Sequence, residues 1–354
     1  MQYNIKIKKL PKSEVEIEAT IPAEALSQAR KKAVDMYSTS LEVDGFRKGH
    51  TPENVVIDKV GEAQILEEAI DILLKEHFPA IIEQEKLDII GRPKISVTKI
   101  ALGNPFEFKA TFALMPDIEL PDYRAIAKSS VASVKLEKND LEATDKEVDD
   151  VLLQIRRNKA HFDWHEANKD EKGHNHPDIK DGDLPELNDE FAQMAGNFKN
   201  LDELKEKVKQ NVINEKKARN TEKKRASIMD ALLKNTKIDM PDILVESEIE
   251  KSLAQMKDDV ERMGAKFADY LEQAKKTEED LKKDLRESSE KKAGIQIIFN
   301  KIAETEKIEP NKEILENEVK EVLKHYPQAN EVNARVYVST ILVNAEVLKL
   351  LEKE

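Results

Sequence analysis

The chain has 354 residues, of which 36% are charged and 5% are aromatic, and its formal net charge is -13. This length suggests two or three domains, and the composition favours long, solvated helices over a compact β-sandwich or barrel. The acidic excess argues against DNA as a partner, and the absence of cysteine excludes disulfides, cysteine-ligated zinc, iron–sulfur clusters and thiol catalysis. The sequence has neither the apolar core of a signal peptide nor about 18 consecutive apolar residues, so we expect a cytoplasmic protein without a membrane partner.

Residues 1–115 combine strand patterns with helical patterns. The stretches YNIKIKKL and VEIEATI alternate polar and apolar residues, as half-buried strands do, and the run from Phe106 to Leu114 alternates in the same way. Apolar residues recur at helical spacing over about 22–40 and 62–84. We therefore predict an α+β domain over residues 1–115.

The stretch VDGFRKGHTPEN, residues 43–54, interrupts these patterns with a polar loop. Gly45 and Gly49 permit backbone angles that other residues resist, and Pro52 suits the start of a helix. Between the glycines lie one large apolar ring and two cations: Phe46, Arg47 and Lys48. An exposed ring beside two cations suits a partner that offers an apolar pocket near acidic or phosphate groups. The alternative is that the ring folds back onto the core while the two cations stay solvated.

A connecting region follows the first domain. Two Pro-Asp pairs in MPDIELPDY favour an extended path, so residues 116–143 are predicted to form an extended linker. Thr144 and Glu147 have the spacing of a capping box, which predicts a helix from there to about Lys159. Within residues 144–183, which hold this linker helix and the segment after it, residues 165–183 contain almost nothing apolar and predict a polar loop.

The last segment, residues 184–354, has helical spacing almost to its end. Asn200, with Glu203 three residues later, predicts the start of one long helix, and Pro241 suits the first turn of the next. Further helices are predicted over about 266–275, 277–304, 311–325 and 330–351. The predicted fold is thus an α+β N-terminal domain followed by an all-α, elongated C-terminal domain.

Four of the seven histidines lie close together in the sequence: His161, His165, His174 and His176. The first two are spaced i, i+4 and would share a face of a helix, so the group could ligate a metal ion. The alternative is a polar loop without a metal, and this is our prediction because no pattern of supporting second-layer groups accompanies the histidines. The sequence contains no P-loop, dinucleotide fingerprint, nucleophile elbow or His-Glu-x-x-His motif. We therefore predict no catalytic residues, no cofactor and no ATP-driven action.

The loop GFRKGHTP, residues 45–52, resembles the ribosome-docking motif of the trigger factors, a family of ribosome-associated bacterial chaperones, with its pattern Gly-Phe-Arg-x-Gly-x-x-Pro. Other stretches are also similar to that family: FEFKATFALMPDIELPDY, LPELNDEFAQMAGNFKNLDELKEKVKQN and IDMPDILVESEIEKSLAQM. The resemblance covers residues 1–125 and 184–260, and it favours the docking interpretation of the loop over a core role for the ring.

The resemblance implies an ATP-independent molecular chaperone that docks at the ribosomal exit tunnel and shields apolar segments of nascent or unfolded chains. Phe46, Arg47 and Lys48 would contact a ribosomal protein and rRNA there. The loop itself would be shaped by Gly45, Gly49 and Pro52. An apolar client surface would also favour a homodimer at raised concentration. The alternative function is a holdase or assembly chaperone for folded proteins that works off the ribosome.

The family usually carries a prolyl-isomerase domain of roughly 100 residues, similar to the FK506-binding fold, between the linker helix and the helical domain. In this sequence that interval holds only the polar residues up to 183, without alternating strands or an aromatic-lined pocket pattern. We therefore predict that the isomerase domain is absent and that the chain is not an enzyme.

Overall fold

In the computed structural model, the chain is described at residues 3–42, 46–47, 49–135, 140–167, 182 and 184–353. Contacts divide it into two compact units, each made from two stretches of the chain. Unit 1 contains Met1–Glu119 and Thr236–Lys301, and unit 2 contains Leu120–Asn235 and Ile302–Glu354. Because these units do not follow the order of the sequence, the domain limits given above stay predictions.

The elements alternate between strand and helix only in the first part of the chain, as the sequence predicts. In chain order they are β1 (Asn4–Lys9), β2 (Glu14–Ile21), α1 (Ala23–Ser40), α2 (Glu53–Val60), α3 (Glu62–Gln84), β3 (Ile89–Lys99), β4 (Phe106–Leu114), α4 (Tyr123–Ser133), α5 (Asp145–Ala167), α6 (Asp189–Gly196), α7 (Leu201–Asn235), α8 (Asp242–Arg262), α9 (Phe267–Ala274), α10 (Glu278–Glu306), α11 (Lys312–His325) and α12 (Glu331–Glu352). This confirms the predicted fold class, an α+β N-terminal part followed by helices.

Unit 1 is built on an antiparallel sheet with the strand order β1-β2-β4-β3. The alternation in the sequence becomes a one-sided core, since β2 and β4 bury the same face: Val15, Ile17, Ala19, Ile21, Phe106, Phe108, Ala110 and Phe112. Helices α1 and α3 cover this face with apolar residues of their own, among them Leu26, Ala29, Ile65 and Leu73. The ring of Phe78 on α3 lies 6.4 Å from that of Phe108 and 6.2 Å from that of Phe112. The core therefore fixes both helices on the sheet.

The turn between β1 and β2 holds the second chain stretch of unit 1. Lys12 and Ser13 have positive φ angles of 63° and 51°, which is uncommon for residues other than glycine. Their backbone N–H groups donate to the two carboxylate oxygens of Asp239, at 2.9 and 2.5 Å. The Lys12 ammonium adds a 2.6 Å ion pair with Asp242, in the first turn of α8. The Asp239 carboxylate thus stabilises a turn with unfavourable backbone angles, and the Asp242 carboxylate attaches the start of α8 to it.

Gly91 in β3 gives α8 a second close contact with the sheet. Its φ angle is 75°, and a Cβ atom at this position would lie 1.9 Å from Cδ1 of Ile243. Gly103 has a similar φ of 78°, but no atom lies within 4 Å of its hypothetical Cβ. Both positions therefore favour glycine because of their positive φ angles. Of the two, only Gly91 also lacks the space for a Cβ atom.

We expect Gly91→Ala to destabilise the protein more than Gly103→Ala. The Gly103 variant loses about 1 kcal/mol to the left-handed backbone alone, and the Gly91 variant loses about 1–3 kcal/mol more because the terminal methyl group of Ile243 must move. Urea unfolding measures both. In an Ile243→Val background, which lacks Cδ1, the extra cost of Gly91→Ala should disappear; an unchanged cost would show that this contact is not its cause.

Unit 2 contains a helical core around α5, α6 and α7. Its fully buried members include Leu152 and Phe191, and Leu204 and Val208 of α7 pack against them. The predicted capping box is present: Thr144 Oγ1 accepts the Glu147 N–H at 3.3 Å, and Glu147 Oε2 accepts the Thr144 N–H at 2.9 Å. The same carboxylate receives the Lys216 ammonium of α7 at 2.7 Å. One carboxylate therefore caps α5 and ties it to α7.

Two predictions about the connecting region need correction. The extended linker predicted over residues 116–143 is interrupted by α4, because the Asp122 side chain caps this helix through the Ala125 N–H at 2.9 Å and because Ala127 and Ser130 are buried. Helix α5 continues past the predicted end near Lys159 to Ala167, where the Lys159–Asp163 ion pair at i, i+4 supports the added turns. The polar loop predicted after it falls mostly outside the described residues.

The predicted helices of the C-terminal part are confirmed closely. Asn200 accepts the Glu203 N–H at 2.9 Å and begins α7. Pro241 lies at the N-cap of α8, one position before the first turn, and its carbonyl oxygen accepts the Leu244 N–H. In the part of the chain that the structure describes, none of the helices combines the length and the apolar character that a membrane span requires.

We expect the stability of unit 2 to depend on the ionisation of Glu147. Hydrogen bonds from Lys216 and Thr144 lower the pKa of this carboxyl from 4.5 to about 2. A lowered pKa stabilises the fold above the unfolded value of 4.5, and this contribution is lost as the pH falls toward 2. The difference in melting temperature between wild type and Glu147→Gln should therefore be largest above pH 4.5 and should shrink below it.

The control for this prediction is Glu206→Gln, which removes a carboxylate from an exposed position of α7. If Glu147→Gln and Glu206→Gln give the same pH profile, the Lys216–Glu147 contact does not carry the effect.

Candidate functional site

The loop predicted to be functional joins α1 to α2 in unit 1. The ring of Phe46 is 44% exposed and does not enter the core, which rules out the alternative that it folds back there. Arg47 and His50 are also exposed. Gly45 and Lys48, to which the sequence assigned a shaping and a docking role, lie outside the described residues. The structure thus exposes an aromatic ring and a guanidinium group on two consecutive residues.

A tight turn at Gly49 follows these two side chains. The Arg47 carbonyl accepts the His50 N–H at 3.0 Å, and Gly49, with φ at 80°, occupies the third position of the turn. A positive φ at that position strongly favours glycine. The bond to His50 therefore ties the Arg47 carbonyl to the turn.

Ser38, in the last turn of α1, binds the returning half of the loop. Its carbonyl oxygen accepts the Gly49 N–H at 2.9 Å, and its hydroxyl group donates to the Thr51 carbonyl at 3.3 Å. Ser38 and Thr51 are each only 7% exposed. The Thr51 hydroxyl is buried without a hydrogen-bond partner among the described residues, so Thr51 contributes to this joint through its backbone.

Arg30 of α1 holds the helices that follow the loop. Its guanidinium forms two hydrogen bonds with Glu62, at 2.6 and 2.8 Å, and one with Glu53, at 2.6 Å. The arginine side chain is 16% exposed, and its hydrogen bonds lower the pKa of the Glu62 carboxyl. Because Glu53 begins α2 and Glu62 begins α3, one guanidinium aligns three helices.

Pro52, which the sequence predicts to shape the loop, lies at the N-cap of α2. Its carbonyl accepts the N–H groups of Val55 and Val56 at 3.0 and 3.1 Å, and the Val56 side chain is fully buried. The loop therefore ends on a helix that is anchored in the core. Chemically, the described residues of the loop offer recognition by an exposed apolar ring and a cation.

The structure places His161 and His165 on α5, and it leaves His174 and His176 outside the described residues. Trp164 lies beside His165, with ring centroids 5.2 Å apart. Within the described ranges, no group of three or more histidine, aspartate or glutamate residues is arranged to hold a metal ion. The prediction that these four histidines hold no metal ion stays a prediction.

Helix α12 of unit 2 carries an exposed apolar surface that the sequence analysis did not identify. We define the α12 apolar surface as Val332, Val336, Tyr337 and Ile341, which are 68%, 62%, 62% and 48% exposed. The helix also has buried positions, among them Ala334 and Val338, and it contacts α11. Arg335 forms a bidentate ion pair with Glu316 of α11. The signal in the sequence was the run VYVSTILV, which is more apolar than one buried face of a helix needs.

Sequence reasoning also missed Ser38 and Arg30. Ser38 falls four residues after Val34, on the buried stripe of α1. A serine in an apolar stripe near a helix end was the available signal. For Arg30 the sequence gave none, because its two partners are distant in the chain.

The chain is similar in sequence to a known protein family. A family model described as bacterial trigger factor protein matches residues 3–155, and the model of the C-terminus of that protein matches residues 200–348. Between them they account for most of the chain.

The chain belongs to the trigger factor family. This confirms the resemblance inferred from GFRKGHTP and identifies the protein as a chaperone of that family.

Trigger factors of two Clostridium species are similar over almost their whole length. That of Clostridium kluyveri (strain ATCC 8527) is 23% identical over 421 aligned residues, and that of Clostridium botulinum (strain Hall) is 25% identical over 421. Each alignment covers 98% of this chain and 98% of the relative. Since the alignments are longer than the 354 residues of this chain, the relatives contain residues within them that this trigger factor lacks.

A solved structure shares the fold. It is described as "Promiscuous Substrate Recognition in Folding and Assembly Activities of the Trigger Factor Chaperone" and aligns with a TM-score of 0.56 at 20% identity. The alignment covers 99% of this chain and 99% of that one.

Proposed function

We propose that this trigger factor is an ATP-independent chaperone that docks at the ribosomal exit tunnel through Phe46, Arg47 and Lys48. In this proposal it shields apolar segments of nascent or unfolded chains while docked. The observation that carries it is the exposed Phe46–Arg47 pair on a loop whose returning half is held by Ser38.

The loop suits a partner that offers protein and nucleic acid side by side. An exposed aromatic ring fills an apolar pocket on a protein, and an arginine binds phosphate oxygens in a bidentate way. A loop whose returning half is already bonded to a helix loses less entropy on binding than a free one. In a chain with a net charge of -13, such a local cation is also what allows contact with rRNA.

The α12 apolar surface is the client contact in this proposal. Covering one exposed valine, isoleucine or tyrosine side chain contributes roughly 1–2 kcal/mol, since these residues are already partly buried. A few such contacts are largely offset by the loss of freedom on association, so clients bind weakly. Weak binding explains how clients leave without ATP.

The same surface favours contact between copies of the chain, and we propose a homodimer at raised concentration. A ribosome-docked chaperone works in the cytoplasm, which is the location we propose.

We expect the loop and the α12 apolar surface to serve separate steps. The triple variant Phe46→Ala, Arg47→Ala, Lys48→Ala should sediment with ribosomes at least about tenfold more weakly, because it lacks the anchor side chains. It should still suppress aggregation of a denatured protein in the absence of ribosomes. The variant Val336→Ser, Tyr337→Ser should show the reverse, with ribosome binding kept and aggregation suppression reduced.

The control for net charge is the double variant Lys6→Ala, Lys8→Ala. It also removes two positive charges, but from exposed positions of β1. Equal ribosome binding by wild type and the loop variant would contradict the docking proposal and favour a chaperone that works off the ribosome. Loss of both activities in both variants would contradict the division of roles.

We also propose that the chain lacks prolyl-isomerase activity. The two family matches leave residues 156–199 between them, and the described residues in that interval belong to α5, α6 and their connections. A domain of the FK506-binding type needs roughly 100 residues. The refolding rate of a proline-limited protein should stay at its uncatalysed value when this chain is added, and a dose-dependent acceleration would contradict the proposal.

A further inference from the structure

We infer that Ser38 is a positioning residue for the docking loop, acting through the returning residues Gly49 and Thr51. The inference rests on the proposed docking function. Ser38 itself is 7% exposed, so its role is to hold the loop and not to touch the ribosome.

The first support is that Ser38 makes two bonds to the loop, one from its backbone and one from its side chain. The last carbonyl groups of a helix lack partners within the helix. At the end of α1, the Tyr37 carbonyl is satisfied by the Leu41 N–H at 2.9 Å, whereas the Ser38 carbonyl is satisfied by the Gly49 N–H at 2.9 Å. The Ser38 hydroxyl then donates to Thr51, two residues further on.

The second support is the difference between Ser38 and the other serine and threonine residues of α1. Ser27, Thr39 and Ser40 donate to carbonyl groups of their own helix: those of Ala23 at 3.0 Å, Asp35 at 2.6 Å and Tyr37 at 3.2 Å. Those residues are exposed, and Ser38 is buried. Among these four residues, only Ser38 donates its hydroxyl group to the loop.

The third support is the burial of this joint. Alanine or valine occupies the neighbouring positions of the buried stripe, at Ala29, Ala33 and Val34. A serine in such a stripe costs free energy unless its hydroxyl group is hydrogen-bonded. The Thr51 carbonyl supplies that partner, so the serine is explained by the loop and not by the core.

The effect of Ser38 reaches the docking side chains through the turn. Ser38 fixes Gly49, and the bond from the His50 N–H to the Arg47 carbonyl then fixes the residue next to Phe46. When only a fraction of molecules holds the competent loop, the apparent dissociation constant rises by the inverse of that fraction. Removing the hydroxyl should lower that fraction.

The test compares wild type with Ser38→Ala, Ser38→Thr and the control Ser27→Ala. Hydrogen exchange of the segment from Gly49 to Thr51 is measured in the full chain, and ribosome affinity is measured by sedimentation. Ser38→Ala should speed exchange and weaken binding by about fivefold, the effect of one ordinary hydrogen bond. Ser38→Thr, which keeps the hydroxyl, should restore both, and Ser27→Ala should change neither.

Two results would overturn the inference. One is wild-type exchange and affinity in Ser38→Ala. The other is failure of Ser38→Thr to restore them, which would show that space and not the hydroxyl is what matters. Because exchange is measured without ribosomes, a wild-type chain that fails to sediment with ribosomes would instead contradict the proposed function.

Discussion

The packing of α1 and α3 on one face of the sheet is the constraint on which the candidate site depends. The two central strands bury every second residue, and the helices cover them with side chains that are fully enclosed. A loop is positioned by the rigid elements to which its two ends are attached. Here both ends are fixed, at Ser38 on α1 and at Val56 on α2, while Phe46 and Arg47 between them are exposed to solvent.

The ion pairs of this protein differ widely in how much they contribute to its stability. Pairs such as Lys32–Glu76, whose side chains are 53% and 47% exposed, contribute little because water screens them. Arg30 is mostly enclosed and binds Glu62 through two parallel hydrogen bonds, which adds geometric specificity. A chain with so many charged residues therefore depends on a small number of them for its architecture.

The sequence predicted the elements whose signals are local. Capping residues such as Asn200 gave helix starts, and strict alternation gave β4, because both depend on neighbours in the chain. Helix α4 was missed because its stability comes from packing on α7 and α12, and a Pro-Asp pattern describes only the residues beside it. For the loop, residue types alone left the ring of Phe46 with two alternatives, and its 44% exposure in the folded chain contradicts the core alternative. The docking role stays a proposal. The partnership of Ser38 with Thr51 requires the folded chain.

The turn formed by Lys12 and Ser13 has a consequence for how the protein is made. Asp239, which accepts the Ser13 N–H, is separated from it by 226 positions in the sequence. At a synthesis rate of about 5–20 residues per second, the turn waits roughly 10–45 s for this carboxylate. During that time the N-terminal sheet has emerged without its partner stretch. The turn at Lys12 and Ser13 therefore stays without its Asp239 partner until more than half of the chain has been synthesised.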